Sequence, residues 1–271
     1  MPTDRPATAG LTATSLAAGW RRAGVGEGTK LIVHSSLSSL GRVQGGAATV
    51  VESLLHAVGP TGTVVAPTFT PQVADPAPDR AGVPDTEVRA RRDTAPTFHP
   101  DLPSSMGAVP ETLRALPEAV RSTHPQASVA AVGAHAAHIV ARQPLGLALG
   151  ADSPFERLYE VGGHILLVGV GHSRNSFLHH AESRAAGRRL KLRRFPTTIG
   201  GERVWCETLD VGDDNGTHFP TIGREFERQA GISTVPVGDA VCRLLPARPF
   251  VDFAVRRLEE LLAGSPERTD R

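Results

Sequence analysis

Hydrophobic residues near the start of the chain follow a strand spacing, then a helix spacing, then a strand spacing again. The apolar run at 31–33 has the length of a buried strand, and GTVVAPTFT at 62–70 is a second one. Between them, residues 47–58 place apolar side chains three or four positions apart, and Gly59 follows as a helix stop. This order predicts a parallel pair of strands in an α/β fold.

The rest of the chain repeats this pattern with variations. Residues 128–143 and 162–187 each predict a strand followed by a helix. Further segments predict a helix that Thr12 or Thr14 caps, a short helix within 106–116, a hairpin that turns at Gly200 and Gly201, and a closing helix over 250–263. We therefore expect an α/β fold with a central sheet, mostly parallel or mixed, that is flanked by helices.

Residues 71–105 interrupt the pattern. This stretch is rich in Pro, Asp and Arg and shows little periodicity. A loop of this length inside a compact protein is usually functional or disordered. Because strands and helices resume after it, we expect a small, loop-rich, acidic excursion that covers the site within a single domain spanning 1–271. Residues 1–10 are expected to be a frayed N-terminus.

Charge and cysteine content exclude several classes of protein. The formal net charge of +1 provides no basic field for nucleic acid, so a polycation must be bound by a local cluster of carboxylates. No stretch has the roughly 20 apolar residues of a membrane helix, and the start of the chain lacks a signal-peptide pattern. Cys206 and Cys242 are read as packing residues in a reducing cytosol. We expect a cytoplasmic protein that binds neither nucleic acid nor membranes.

The helix predicted after the glycine turn at 169–171 has a polar and an apolar side, because residues three or four apart share a helix face. The polar side carries Ser176, His179, Glu182 and Ser183, and the apolar side carries Leu178, Ala181 and Ala185. The polar side begins beyond the carboxyl end of a strand, where open α/β sheets bind ligands. Composition alone favours another interpretation, in which His179 and His180 simply satisfy hydrogen bonds beside a packed helix.

A metal site at this helix is a weaker interpretation. His172 and His179 would lie about 10 Å apart along a continuous helix, too far to share one ion. The HExxH pattern is absent, and His179 with Glu182 lacks an evident third ligand. We therefore expect no metal.

A serine-rich turn follows the first predicted strand. HSSLSSLG at 34–41, with Gly45 and Gly46 opening the next helix, offers hydroxyls and backbone N–H groups that suit a pyrophosphate. The segment is neither a Walker A motif nor a GxGxxG fingerprint. A hydrolase using Ser36 with His124 or His179 would need a nucleophile elbow, and Ser36 has no GxSxG context.

Two further positions carry candidate chemistry. His124 precedes Pro125, which holds it in an extended conformation. Asp210 ends the predicted strand 204–210 on the same side as Val204, where its carboxylate is either solvated or reaches a partner such as a histidine.

In combination and in this order, these segments resemble the aminoglycoside 3-N-acetyltransferase family over nearly the whole chain. The segments that carry the resemblance are HSSLSSLG at 34–41 with Gly45 and Gly46, VGPTGT at 58–63 with Pro67 and Thr68, Met106–Gly107 with Pro110 and Glu111, His124 and Pro125 with Ser128, Ser153 and Pro154 with Leu158, and LVGVG at 167–171 leading into LHHAE at 178–182. Each segment alone is a weak signal.

The resemblance implies a fold unrelated to the GNAT acetyltransferases, with acetyl-CoA as co-substrate. It implies His179 as the general base and Asp210 as its supporting acid, with Glu207 as the register alternative. The implied coenzyme contacts are Ser35, Ser36, Leu37, Ser38, Gly45, Gly46 and Ser176. The implied contacts to the acceptor are His124, Asp152 and Glu207, and the acidic excursion would face the drug.

Three positions depart from the family pattern. Ser176 replaces a Thr that is often present near the start of the histidine helix, which is a mild change. Phe177 replaces a small hydroxyl residue and is expected to narrow the pocket. His99 stands where an Asp is common, which would remove one anionic contact to a polyamine.

The resemblance implies acetylation of the 3-amino group on the 2-deoxystreptamine ring of aminoglycosides, conferring resistance. We expect the amine to attack the thioester directly while His179 accepts its proton. Asp210 would hold the ring tautomer, and Glu182 would bind a substrate ammonium or anchor the helix. The candidate anionic contacts to the amine are Asp75, Asp79, Asp85, Asp152 and Asp213.

Two further alternatives stay open beside the hydrolase. The same chemistry could act on a non-aminoglycoside amine, or the protein could bind coenzyme or drug without catalysis. A homodimer is the expected assembly if the protein is not a monomer.

Overall fold

The structure is a computed structural model that describes residues 10–80, 86–212 and 216–263. Residues 1–9 of the expected frayed start at 1–10 lie outside the described residues, as do the candidate acids Asp85 and Asp213. The strands are β1 (Lys30–Ser35), β2 (Thr63–Pro67), β3 (Val120–Arg121), β4 (Val129–Gly133), β5 (His164–Val168), β6 (Leu190–Ile199), β7 (Glu202–Val211), β8 (Val235–Val237) and β9 (Ala240–Pro246). The helices are α1 (Ala13–Arg22), α2 (Ala47–Val58), α3 (Thr86–Asp93), α4 (Ala108–Arg114), α5 (Ala136–Val140), α6 (Pro154–Glu160), α7 (Phe177–Arg184), α8 (Phe219–Ala230) and α9 (Ala247–Ala263).

A seven-stranded mixed sheet forms the centre of the fold, in the order β3-β4-β2-β1-β5-β9-β8. β1 is parallel to both β2 and β5, and the other neighbouring pairs are antiparallel. The expected α/β fold with a mixed sheet is confirmed, as is the parallel pairing of the first two strands. Because β1, β2 and β5 run in the same direction, their carboxyl ends meet at one edge of the sheet.

Each face of the sheet is covered by its own hydrophobic core, because side chains alternate along a strand. On one face, Ile32 and Leu167 lie in a cluster with residues of α6, α7, α8 and α9. On the other face, Leu31 and Leu166 pack with residues of α1, α2 and α4. Full burial of one such side chain contributes about 1.5–3 kcal/mol, so the two cores fix the helices on the sheet.

The helix ends follow local chemistry that the sequence predicts. Thr12 caps α1 and exchanges hydrogen bonds with Ser15 in a capping box. Gly59, with a φ of 65°, ends α2. Ser153 caps α6, and its hydroxyl accepts hydrogen bonds from the two backbone N–H groups that follow Pro154.

Several elements were not predicted. These are α3, α6 and α8, the short strand β3, and the antiparallel pair β8 and β9. Within the excursion at 71–105, α3 is a polar helix in which Val88 is the buried residue, so the helix spacing of apolar residues is weak there. The expected hairpin does turn at Gly200 and Gly201, and its two strands form a separate sheet. Among the described helices, none combines the length and apolar character needed to cross a lipid bilayer.

Candidate active site

A cleft of about 420 Å³ opens at the carboxyl edge of the sheet, beside the first turn of α7. Its wall is built from the turns after β2 and β5, the segment before β4, and one face of the hairpin. The residues that line it include Phe69, Pro71, Ala74, Met106, His124, Gln126, Ala127, Leu149, Ser173, Arg174, Ser176, His179, Arg193, Asp210, Val211 and Gly212.

His179 presents its imidazole to this cleft. The ring is 15% exposed, and its edge packs against Phe219 at 4.8 Å between ring centroids. Its Nδ1 atom lies 3.0 Å from Oε2 of Glu182. A carboxylate oxygen only accepts, so Nδ1 donates the proton, and in the neutral ring the lone pair is on Nε2. Nε2 has no hydrogen-bond partner within the ranges that the structure describes.

The contact to Nδ1 of His179, which the sequence interpretation assigned to Asp210, is made by Glu182. Its side chain is only 5% exposed and lies one turn along α7 from His179, on the same helix face. The expectation that Asp210 would hold the ring is therefore not what the geometry shows. The Asp210 carboxylate instead accepts hydrogen bonds from the backbone N–H groups of Val211 at 2.8 Å and Ala148 at 3.4 Å. Burial raises the pKa of Asp210, although these two hydrogen bonds oppose the shift.

The structure does not bring Glu207 to the cleft. Side chains alternate along β7, so Glu207 and Asp210 lie on opposite faces of the hairpin. Glu207 forms an ion pair with Arg194, its register partner on β6, and its side chain is 57% exposed. In this structure it neither contacts His179 nor belongs to the described wall of the cleft.

His124 lies in the wall of the cleft, but both of its ring nitrogens are occupied. Nδ1 accepts from the backbone N–H groups of Gln126 at 3.0 Å and Ala127 at 2.9 Å. Nε2 must then carry the proton, and it donates to the Leu145 carbonyl at 3.2 Å. Burial lowers the pKa of His124 to about 4, so the ring is neutral near pH 7. It can shape the wall but cannot act as a base.

The described members of the candidate anionic set, Asp75, Asp79 and Asp152, either lie outside the wall of the cleft or are already paired. The Arg92 guanidinium forms two hydrogen bonds to the Asp75 carboxylate, at 2.7 and 3.0 Å. These bonds hold the pKa of Asp75 below its ordinary value against the opposing effect of burial. Asp79 and Asp152 are exposed and do not belong to the described wall of the cleft. None of the three is placed to bind an amine beside His179.

The serine turn lies at the same sheet edge as His179, next to the turn after β5. Ser36 donates its backbone N–H to Val168 on β5, and its hydroxyl lies 3.2 Å from that of Ser38. The Ser39 side chain packs on Gly169, where a Cβ atom would overlap with it. Ser35 and Leu37 belong to this turn, and Gly45 and Gly46, both with a positive φ, precede α2. Of the predicted coenzyme contacts, Ser176 also lines the cleft around His179.

Arg174 and Arg193 line the cleft but were missed by the sequence interpretation. Arg174 follows the glycine turn directly, and that proximity was an available signal. Arg193 reaches the cleft because it shares the Asp210 face of the hairpin, a relationship that depends on how the hairpin docks. Over the described ranges, the structure contains no group of three His, Cys, Asp or Glu side chains that could hold a metal ion.

The mixed sheet and its flanking helices match those of solved acetyltransferases, which defines the class of protein. The sequence profile of the family described as aminoglycoside 3-N-acetyltransferase matches residues 32–259. The chain belongs to this family.

Individual relatives agree with this assignment over almost the full chain. The chain is 37% identical to aminoglycoside N(3)-acetyltransferase VII of Streptomyces paromomycinus, covering 93% of each sequence. The crystal structure of the YokD protein from Bacillus subtilis superposes with a TM-score of 0.88 at 31% identity, covering 96% of this chain and 97% of YokD. A structure of AAC-IIIb in a binary complex with CoASH has a TM-score of 0.85 at 30% identity, covering 96% of this chain and all of that one.

Proposed function

We propose that the protein transfers the acetyl group of acetyl-CoA to the 3-amino group on the 2-deoxystreptamine ring of an aminoglycoside, and that it thereby confers resistance. The observation that carries the proposal is the His179 ring, which Glu182 holds through Nδ1 while Nε2 is left for the cleft. The names of the relatives and the coenzyme in the AAC-IIIb complex support the choice of acceptor and donor.

In the proposed reaction, His179 makes the acceptor nucleophilic. Aliphatic amines are mostly protonated near pH 7, so a base must remove one proton. Nε2 of His179 accepts it, directly or through one water, and this frees the lone pair of the amine. The amine nitrogen then forms its bond to the thioester carbonyl carbon and the carbon–sulfur bond breaks. The nitrogen gives its second proton to the departing sulfur, so coenzyme A leaves as the thiol, and the imidazolium returns its proton to solvent. Glu182 keeps Nδ1 protonated and stabilises the imidazolium, the role of the third group in a catalytic triad.

The described residues fit a coenzyme that carries phosphates. The hydroxyls of Ser36 and Ser38 lie at the sheet edge. Gly45 and Gly46 have no side chains that could cover the backbone N–H groups at the N-terminus of α2. Helix N-termini favour anions because their first N–H groups lack partners within the helix. This turn is therefore our proposed contact region for the coenzyme, together with Ser35, Leu37 and Ser176.

Asp210 is our proposed contact for the acceptor. It is the carboxylate in the described wall of the cleft, where Phe69 and Met106 supply apolar surface. Two backbone hydrogen bonds fix its position, so it can bind an ammonium group of the acceptor without first becoming ordered. Residues 71–105 are proposed to cover this half of the cleft, which Pro71 and Ala74 border.

A second candidate function is the same transfer to an amine that is not an aminoglycoside. The specific observation that favours it is the charge of the cleft. Arg174 and Arg193 line it, while the Asp75 and Glu207 carboxylates are paired with arginines elsewhere. A polycation binds less tightly to such a surface than to a cluster of free carboxylates.

The deciding experiment measures coenzyme A release by the full-length protein with acetyl-CoA and a panel of amines. The panel pairs each aminoglycoside with a derivative blocked at the 3-amino group, and mass spectrometry locates the added acetyl group. We expect release with the parent compounds and none with the blocked ones. Acetylation at another amine, or release that is independent of any amine, would contradict the proposal, and turnover restricted to other amines would support the second candidate.

The proposal also includes the cellular location and the oligomeric state of the protein. We place the protein in the cytoplasm, where acetyl-CoA is available and where the free cysteines Cys206 and Cys242 would stay reduced. A homodimer and the lack of nucleic acid or membrane partners remain predictions. Sedimentation of the purified protein checks the first of them.

A further inference from the structure

We propose that Arg174 binds a phosphate group of coenzyme A and so fixes the donor at the entrance of the cleft. This inference rests on the proposed function, because it takes acetyl-CoA as the donor. It assigns a charged contact to a residue outside the serine turn.

The topology places Arg174 on the donor side of His179. Arg174 ends the 3-10 turn His172–Arg174 that follows β5, while the serine turn follows β1. β1 and β5 are parallel neighbours, with Ser35 opposite Val168, so the two turns leave the sheet side by side. A coenzyme held by the serine turn therefore passes the Arg174 turn on its way to His179.

The charge of Arg174 has no counterpart among the described residues. Its side chain is exposed in the cleft wall and makes no hydrogen bond or ion pair within the part of the chain that the structure describes. Arg92 and Arg194, in contrast, are neutralised by Asp75 and Glu207. A guanidinium presents several N–H donors in a fixed plane that matches two phosphate oxygens. An unpaired arginine beside a polyanionic donor is therefore available for that contact.

The backbone around Arg174 is held on both sides. Nε2 of His172 lies 2.8 Å from the Glu227 carboxylate, and the ring stacks on Phe250 at 5.7 Å between centroids. On the other side, the Asn175 side-chain oxygen accepts the backbone N–H of Phe177 at 3.1 Å and so joins the turn to α7. The backbone that carries the Arg174 side chain is thus held in place relative to His179.

The alternative occupant of this position is the acceptor. A polyamine carries several positive charges, and a guanidinium repels them. A phosphate donor carries negative charges that the same guanidinium attracts. The charge of Arg174 therefore favours the donor over the proposed acceptor.

The test is calorimetric binding of coenzyme A, dephospho-coenzyme A and pantetheine to the wild type, R174Q and R256Q. Arg256→Gln is the matched control, because it removes the same charge from an exposed position of α9 that does not belong to the described wall of the cleft. We expect R174Q to bind coenzyme A roughly 10- to 100-fold more weakly, the effect of one charged hydrogen-bonded contact. Its affinity for pantetheine, which lacks phosphates, should be unchanged, and R256Q should stay close to the wild type.

Dephospho-coenzyme A locates the contact. If R174Q binds it more weakly than the wild type does, Arg174 contacts the diphosphate; if the two bind it equally, the contact is the 3′-phosphate. Equal coenzyme A affinity in R174Q and the wild type, or an equal loss for pantetheine, would overturn the inference.

The readout separates this inference from the proposed function. Calorimetry requires no acceptor, so a wild type that binds coenzyme A through Arg174 but acetylates no aminoglycoside would contradict only the proposed acceptor. Where transfer does occur, R174Q should raise the KM for acetyl-CoA and leave that for S-acetylpantetheine and the amine unchanged.

Discussion

The Nδ1 atom of His179 lies 3.0 Å from Oε2 of Glu182, one turn further along α7. Both residues are on one short helix, so the pair is assembled when α7 forms. α7 itself is fixed by its apolar side, where Leu178 and Ala181 are fully buried. The base and its partner thus depend on local geometry, and the cleft depends on how the surrounding turns pack.

The first prediction concerns this pair. Glu182→Leu removes the acceptor from Nδ1, so the ring can adopt the wrong tautomer and the imidazolium loses its counter-charge. We expect kcat to fall about 10²-fold or more. Glu182→Gln keeps an oxygen for Nδ1 but not the charge, and should fall between the wild type and Glu182→Leu. Steady-state kinetics measure this order, and a Glu182→Leu variant with wild-type kcat would remove Glu182 from the mechanism.

The second prediction concerns the base. His179→Ala should lower kcat by about 10²–10⁴-fold, the usual contribution of a positioned general base. His138→Ala, at an exposed position of α5, is the matched control and should keep full activity. Circular dichroism checks that both variants are folded. Near-normal acetyl transfer by folded His179→Ala would end the assignment of the base.

The sequence sufficed for α7 because spacing decides which residues share a helix face. His179 and Glu182 were placed on one side from their separation alone, and the opposite side was correctly expected to be apolar. The structure, however, places Glu182 and not Asp210 against Nδ1 of His179. Alternation shows that Asp210 and Glu207 face opposite ways, but only the docking of the hairpin determines which face meets the cleft.

The sequence also did not predict which side chains form ion pairs within the excursion at 71–105. Asp75 pairs with Arg92, seventeen positions later in a segment without periodicity, so the Asp75 carboxylate is not available to an amine. The strands β8 and β9 were missed for another reason. β8 has three residues, including Pro236, and such a strand forms only because β9 offers it an edge.

The third prediction concerns Asp210 and separates binding from stability. Asp210→Asn should raise the KM for the amine acceptor and leave the KM for acetyl-CoA unchanged. Burial raises the pKa of Asp210, so ionisation of this carboxyl destabilises the folded state as the pH rises above the unfolded-state pKa. Asp210→Asn should therefore be more stable than the wild type near pH 7.

Urea unfolding at several pH values checks the stability effect. The advantage of Asp210→Asn should shrink as the pH falls, because the wild-type carboxyl then becomes neutral in both states. An advantage that is independent of pH, or an unchanged KM for the acceptor, would contradict the roles given to Asp210.

The fourth prediction concerns the buried His124. Burial lowers its pKa to about 4, whereas the unfolded-state value is about 6.5. Between these values the unfolded chain binds a proton that the folded protein does not, so the folded state loses stability as the pH falls from about 6.5 to about 4. His124→Asn keeps an oxygen that can accept the backbone N–H groups at 126 and 127 and removes the titration. The free energy of unfolding should therefore depend less steeply on pH in the variant, and equal slopes would show that His124 is not the titrating group.

The last prediction tests the support of the Arg174 turn through Gly223 on α8. A Cβ atom at Gly223 would lie 1.9 Å from the His172 ring, so alanine cannot fit unless the ring moves away from Glu227 and Phe250. Gly223→Ala should therefore lower the free energy of unfolding by about 1–3 kcal/mol, the cost of overpacking a well-packed site. Gly26→Ala is the matched control, because nothing lies within 4 Å of its Cβ position. If His172 also holds Arg174 in place, Gly223→Ala should raise the KM for acetyl-CoA more than the KM for S-acetylpantetheine. Equal stability of the two glycine variants would contradict the close packing, and equal effects on both donors would confine the role of His172 to stability.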